Sequence, residues 1–267
     1  MPIITLTTDF GLRDGNVGVM KGVILALAPA ARLVDLSHTI GPQDVAEAAW
    51  VLKRAVPYFP PETIHLVVVD PGVGTARRPL AARIGSQRFV GPDNGVLTRV
   101  LAQAERAGQA AAFWQLDQPG YWRAVVSTVF HGRDIFAPVA GHLAAGVPLE
   151  RLGRPIADPV RLALPAPRAS DQGLSGEVAH IDHFGNVATN ITRADLAAAG
   201  LPADEALALR VRDAEIAGLV ATFGERPAGT LVALYSSTDD LIVAEVNGHA
   251  ARRLGARVGD PVEVSWT

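Results

Sequence analysis

Apolar and polar positions along the first half of the chain switch repeatedly between two periods. "IITLTTDF" reads as a strand that ends at a carboxylate, and "GVMKGVILALAP" has helical spacing and stops at Pro29. "ARLVDLSH" is a second strand. "DVAEAAWVLKRAVPYF" carries alanines and larger apolar residues at helical spacing, with Asp44 placed as an N-cap. "TIHLVVVD" is a third strand, and its continuous β-branched run suits a sheet covered on both faces. This β-α-β-α-β order predicts an α/β fold with a mainly parallel sheet and helices on both faces.

The pattern changes over residues 155–175. "RPIADPVRLALPAPRASDQGLSG" holds prolines at 155, 159, 165 and 167 and little periodicity, so it reads as a linker or extended crossing segment. Beyond it come short strand-like runs separated by turn residues: "SGEVAHID", "NVATNIT", "ALRVRDAEIAGL", "GTLVALYSS", "DLIVAEVNG" and "PVEVSW". "ADLAAAG" and "GHAARRLGA" are short helical inserts. The expected organisation is an N-terminal α/β domain over 1–158, a linker over 159–174, and a C-terminal antiparallel, barrel-like β domain over 175–267.

Composition narrows the chemistry. Hydrophobic residues make up 49% and charged residues 19% of the 267, enough for a substantial core and unlike a disordered chain. With no cysteine, disulfides, thiolate metal sites and cysteine nucleophiles are excluded. The net charge of −3 offers no footprint for nucleic acid or an anionic membrane. Lys21 and Lys53 are the only lysines, which leaves little room for a Schiff base or a phosphate-binding Gly-Lys-Ser loop. No apolar run approaches the ~18 residues of a membrane span, and "PIITLTT" does not resemble a secretory signal, so a cytoplasmic enzyme is expected.

In an open α/β sheet, ligands bind beyond the carboxyl ends of the strands. Two strands here end there in an acid: Asp9 in "TTDFG" and Asp70 in "VVVDPGVG". Either one alone could cap a turn, but two on one sheet favour a site. "DPGVGTARR" lacks both the P-loop lysine and the third glycine of a dinucleotide fingerprint, and its acid would repel a phosphate. "FVGPDNGVLTRVL" is a turn followed by a helix, with Asp93, Asn94 and Gly95 as turn chemistry. "VFHGRDIFAPVAGHLAAG" places His131, Arg133 and Asp134 just before a helix. Beside Asp70 and Arg77, His131 is a candidate base or water-orienting group. "IDHFGNVATNI" supplies Asp182, Phe184, Asn186 and Asn190, an acid, an aromatic ring and amides that suit an amino-acid or nucleoside ligand. The seven histidines show no HxH or HxxxH pairing, so no metal site is expected.

These stretches form an ordered set: "TDFGLRDGNVGVMKG", "VVVDPGVGTARRPL", "VGPDNGVLT", "FHGRDIFAPVA" and "DHFGNVATNI". Together they resemble the S-adenosyl-L-methionine (SAM) hydroxide adenosyltransferase family, also called adenosine-forming SAM hydrolases, relatives of the fluorinase and chlorinase. The resemblance spans nearly the whole chain. It implies a homotrimer in which the ligand lies between the first domain of one subunit and the second domain of its neighbour. It places the water-activating acid, arginine and histidine on Asp70, Arg77 and His131, with Gly132 beside them. It puts a ribose-holding acid at Asp9, and Asp14 and Asn16 in a loop at the methionine end. Asp182 and Asn186 match positions that grip the amino-acid part, while Phe184 and Phe223 match aromatic positions at the adenine. The tail "YSSTDDLIVAEVNGHAARRLG" departs from the usual pattern, with Ser237 and Asn247 as its substrate-side positions and Glu245 near the latter.

The resemblance implies hydrolysis of SAM to adenosine and L-methionine. The sulfonium makes methionine a good leaving group, so an in-line nucleophile at the ribose 5′ carbon suffices and no cofactor or metal is called for. Arg77 would favour the hydroxide-like form of a water that Asp70 and His131 orient and deprotonate. A SAM or adenosine sensor without turnover is a second reading, although a binder has no need of Asp70, Arg77 and His131 together. A SAM-dependent halogenase is a third, opposed by Asp70, a carboxylate where a halide would have to sit.

Overall fold

The computed structural model describes residues 1–171, 173–200 and 206–266. The chain divides into two compact units, Met1–Leu162 and Ala163–Thr267.

The first unit runs β1 (Ile3–Thr8), α1 (Asn16–Leu27), β2 (Arg32–Ser37), α2 (Val45–Ala55), β3 (Ile64–Val68), β4 (Pro79–Ile84), β5 (Gln87–Pro92), α3 (Thr98–Arg106), β6 (Ala111–Gln115), α4 (Ala137–Ala144) and β7 (Arg154–Ile156). Its seven strands form one sheet of order β2-β1-β3-β5-β4-β6-β7. The expected parallel arrangement holds for β2, β1, β3 and β5. Beyond β5 the sheet continues antiparallel through β4, β6 and β7. Helices cover both faces, as the unbroken apolar run of β3 requires. Ile64, Leu66 and Val68 pack with α1 and α4 residues such as Met20, Ile24 and Val139. Val67 and Val69 point the other way, into a core with Ala48 and Leu52 of α2 and Val100 and Leu101 of α3. Asp44 caps α2 as expected, its carboxylate accepting from the Glu47 N–H at 2.8 Å.

The second unit runs β8 (Arg168–Ser170), β9 (Gly173–Ile181), β10 (Val187–Thr192), α5 (Arg193–Ala198), β11 (Leu207–Val211), β12 (Ala214–Ala217), β13 (Leu231–Tyr235), β14 (Asp240–Glu245), α6 (Ala250–Leu254) and β15 (Pro261–Trp266). The strands form an antiparallel sheet of order β12-β11-β15-β9-β10-β14-β13, with β8 added on β9. A bridge between Leu219 and Ala233 nearly closes it into a barrel around Val178, Leu209, Val243 and Val264. The stretch "ALRVRDAEIAGL", read as one strand, is a hairpin. Arg212 at φ 56° lets the chain reverse so that Val211 pairs with Ala214. The proline-rich crossing segment is ordered by specific bonds. The amides of Val160 and Leu162 donate to Asp93 and to Thr98 Oγ1, each at 2.8 Å. Residue 172, within the expected linker, and residues 201–205 and 267, within the expected second domain, lie outside the described residues.

Candidate active site

β1 and β3 are parallel neighbours, so the segments that follow them leave the same edge of the sheet. Asp9 comes directly after β1, and Asp70 two residues after β3. Asn94 fixes that exit: its Nδ2 donates to the Val69 carbonyl at 2.9 Å, while its Oδ1 accepts from the Val96 amide. The turn residue read as simple loop chemistry therefore anchors the backbone next to Asp70.

The segment from Asp70 to Arg77 folds back on itself. Thr75 Oγ1 donates to the Gly72 carbonyl at 2.7 Å and accepts from the Arg77 amide. This return brings the Arg77 guanidinium onto the Asp70 carboxylate as a two-pronged pair, Nε to Oδ1 at 3.0 Å and Nη2 to Oδ2. Both side chains are more than nine-tenths buried. Arg77 Nη2 also donates to His131 Nδ1 at 3.1 Å, and the guanidinium lies over the Phe136 ring. The three residues singled out in the sequence thus meet in one contact network.

That network fixes the state of His131. A guanidinium only donates, so Nδ1 must accept and the ring proton sits on Nε2. Burial and the positive charge of Arg77 hold the His131 pKa below the ordinary histidine value, against the opposing pull of Asp70 and Asp134. The ring is neutral at pH 7. One donor remains: Arg77 Nη1 is buried and has no hydrogen-bond partner among the described residues.

Glycine permits the close packing here. Gly74 has φ +75°, and a Cβ on it would lie 2.3 Å from the Thr128 carbonyl oxygen, so the Asp70 segment rests directly on the loop that leads to His131. Gly132 is buried, and a Cβ there would press on Met20 Sδ at 3.2 Å. The structure thus gives Gly132 a packing reason. Phe10, beside Asp9, meets Phe130, beside His131, edge to face at 5.7 Å. This contact joins two of the site segments and carries no signal in the spacing of the sequence.

Asp9 is partly exposed and accepts from the Gln43 amide at 2.8 Å. Asp14 is exposed, and Asn16 opens α1. Arg78, next to the catalytic candidate, is occupied elsewhere: it pairs with Asp93 and Asp158.

The remaining sequence candidates belong to the second unit. Asp182 closes a small turn between β9 and β10. Its Oδ1 accepts from the amides of Phe184 and Asn186, and its Oδ2 accepts from Asn186 Nδ2 at 2.8 Å. The pair Asp182–Asn186 is thereby rigid, and it holds Phe184 73% exposed. Phe223 opens a short helical turn capped by Thr222 and Glu225 and is 42% exposed. Two exposed phenylalanines are costly in water and are the kind of surface a planar ligand covers. Ser237 and Asn247 are both exposed, Asn247 in a left-handed turn at φ 54°. Glu245 is engaged locally by the His249 amide and Arg253. Among the described residues no cluster of three or more His, Cys, Asp or Glu could hold a metal ion, and no helix is long and apolar enough to cross a membrane.

Comparison with known proteins agrees with the two-unit organisation of these residues. Residues 4–153 match the SAM hydroxide adenosyltransferase N-terminal domain, and residues 176–263 match its C-terminal domain. An (R)-S-adenosyl-L-methionine hydrolase of Salinispora tropica is 44% identical over 99% of this chain and 98% of the relative. One from Thermus thermophilus is 40% identical over 96% and 97%. A fluorinase of an Actinoplanes species is 34% identical over 75% of each chain. An uncharacterized conserved protein of Thermotoga maritima has a crystal structure that superposes with a TM-score of 0.90 at 38% identity, covering 98% of this chain and 99% of that one. With both halves matched and near full-length relatives above 30% identity, this chain belongs to the SAM hydroxide adenosyltransferase family.

Proposed function

We propose that this protein hydrolyses S-adenosyl-L-methionine to adenosine and L-methionine by in-line attack of a water on the ribose 5′ carbon. The observation that carries this reading is the buried Asp70–Arg77–His131 network with one guanidinium nitrogen, Nη1, left over. A buried donor without a partner costs ~1–3 kcal/mol, so Nη1 is suited to a ligand oxygen. A water held there gains acidity from the cation beside it. Neutral His131 carries its proton on Nε2 and its Nδ1 is taken, so it orients by donation. Asp70 has lone pairs beyond those given to Arg77 and accepts the proton. The C5′–S bond breaks as the C5′–O bond forms, and its electron pair leaves with the methionine sulfur. The sulfonium departs as a neutral thioether, so the step needs no acid and no cofactor. Positioning supplies much of the rate, since a near-attack geometry is worth ~7–11 kcal/mol.

Asp9 takes the ribose hydroxyls and Gly132 lines the reacting end, while Asp14 and Asn16 line the methionine end. Asp182 and Asn186 grip the amino acid, Phe184 and Phe223 cover the adenine, and Ser237 and Asn247 border it. Because these residues are divided between the two units, the proposed assembly is a homotrimer with each site shared by two subunits. α1 supports self-association: it is apolar around most of its circumference, yet Val19, Leu25 and Leu27 are exposed.

Oxygen-18 water tests the reaction. The label belongs in the 5′-hydroxyl of adenosine, with none in methionine. Unlabelled adenosine, or only a 5′-halo nucleoside when halide is present, overturns the assignment.

A further inference from the structure

Asp134 is a fully buried carboxylate that the hydrolytic step does not use. It sits in a single π-helical turn, Gly132–Phe136, immediately after His131. Such turns are rare and recur at functional positions. Its carboxylate collects four donors. Arg133 holds it through Nε at 2.7 Å and Nη2 at 2.8 Å, the Ser127 amide donates at 2.8 Å, and Arg123 Nη1 lies at 3.3 Å. The Asp134 main-chain carbonyl accepts from the Arg123 amide at 2.9 Å. Both ends of the 123–127 loop are therefore tied to this one residue.

The ties lead to the site from two sides. Ser127 precedes Thr128, whose carbonyl is the surface on which Gly74 of the Asp70 segment rests. Arg133, clamped by Asp134, lies over the Phe130 ring, and Phe130 meets Phe10 beside Asp9. We infer that Asp134 is a positioning residue: it fixes the 123–130 loop so that His131 is presented to Arg77 and the Asp70 segment is backed from behind. This rests on the proposed roles of Asp70, Arg77 and His131. A carboxylate buried at such cost, and satisfied by two arginines and an amide that lie close in the chain, is suited to hold a loop in one geometry.

The charged groups that act on His131 are Asp70 and Arg77 from the segment after β3, and Asp134 from its own turn; Arg133 acts through its pairing with Asp134. Asp134 raises the His131 pKa, which gives the inference a readout that a merely structural role does not move. Asp134→Asn removes the negative charge and leaves Arg133 uncompensated, so the acid limb of the kcat/KM profile moves to lower pH. Arg133→Gln removes the cation that neutralises Asp134, so the Asp134 charge acts on His131 less compensated and the limb moves to higher pH. In both variants kcat falls about 10- to 100-fold, the scale of a displaced catalytic group, with KM changed far less.

The experiment is steady-state SAM hydrolysis by the full-length protein across pH, with thermal unfolding as the check on folding and His131→Gln as the reference. Opposite shifts of the acid limb with a kcat-dominated loss support the inference. A folded Asp134→Asn with wild-type kcat and an unmoved limb overturns it. If Asp134→Asn does not fold, Arg133→Gln carries the same decision, and wild-type kcat with an unmoved limb there overturns the inference. A His131→Gln enzyme as active as wild type overturns the underlying site assignment and this inference with it. An inactive His131→Gln beside an unaffected Asp134→Asn overturns this inference alone.

Discussion

Arg77 binds Asp70 and His131 at once, and the proposed site depends on its planar fork. Nε and Nη2 take the Asp70 carboxylate, Nη2 reaches His131 Nδ1, and Nη1 is left for a ligand. A lysine offers a point charge on a flexible stem and cannot span these directions. Arg77→Lys is expected to lower kcat at least ~100-fold while adenosine affinity by calorimetry changes little, because the lost contacts act mainly in the transition state. Asp70→Asn is expected to behave similarly, and near-wild-type turnover would remove Asp70 as the proton acceptor. The pH profile follows from His131. Protonation puts a hydrogen on Nδ1 and turns the contact with Arg77 from a hydrogen bond into a repulsion. Activity should hold down to a pH below the ordinary histidine range and fall as pH drops through the lowered pKa. An acid limb at or above 6.5 in kcat/KM would contradict the neutral, Nε2-protonated ring. Asp70, Arg77 and His131 could be singled out in the sequence because Asp70 ends a strand, Arg77 stands in the loop that follows it and His131 sits beside a glycine. The contacts that make them one unit were not, since the links Asn94–Val69 and Phe10–Phe130 join residues by three-dimensional approach and leave no period or motif.

The segment from Asp70 to Arg77 works as an element because glycine lets it lie flat on its neighbour. Gly74→Ala must place a methyl group 2.3 Å from the Thr128 carbonyl on a backbone at φ +75°, a conformation that disfavours any side chain. The Asp70 and His131 segments are then pushed apart. The expected result is loss of SAM turnover larger than the loss of thermal stability, since the damage is local to two loops. Full activity in Gly74→Ala would show that the two segments need not touch. At this scale the sequence was unevenly informative. Long apolar runs such as "TIHLVVVD" marked the buried parallel strands, and both of their faces are covered as expected. The antiparallel half was not legible. β4 and β5 carry arginines at 83 and 88 and a turn at Gly85 and Ser86, so their pattern is broken by charge and their pairing is set by the hairpin. The hairpin of β11 and β12 was hidden for a related reason: Arg212 and Asp213 take the reversal without a glycine.

At the scale of the whole molecule, stability and assembly each yield a measurement. His65 is fully buried on β3, its Nδ1 against Thr5 Oγ1 and its Nε2 against Gln87 Oε1, each at 2.8 Å. The Gln87 amide is itself oriented by its donation to the Val56 and Phe59 carbonyls, so Nε2 carries the ring proton. Burial lowers the His65 pKa from 6.5 to about 4. Between those values only the unfolded chain takes up the proton. The His65 contribution is fully present above about 6.5 and is lost as pH falls toward about 4, by up to ~1.4 kcal/mol per pH unit. Urea unfolding across this range should therefore give a stability that rises with pH, and His65→Gln should flatten that slope. Assembly is decided by complementation. The proposed site takes Asp70, Arg77 and His131 from one subunit and Asp182, Phe184 and Asn186 from its neighbour. Asp70→Asn damages only the first set and Asp182→Asn only the second. Each variant alone should be nearly inactive in every site it forms. When the two are co-expressed in equal amounts and exchange freely within closed rings, about one site in four combines an intact first unit with an intact second unit. Turnover near one quarter of wild type should reappear in the mixed population, and separation of the pure variants should abolish it again. If mixed oligomers form and stay as inactive as the variants alone, each site is built within a single chain and the shared-site trimer is wrong. A different affinity tag on each variant, with purification on both tags in turn, confirms that the chains have mixed, so inactivity then speaks to the architecture itself.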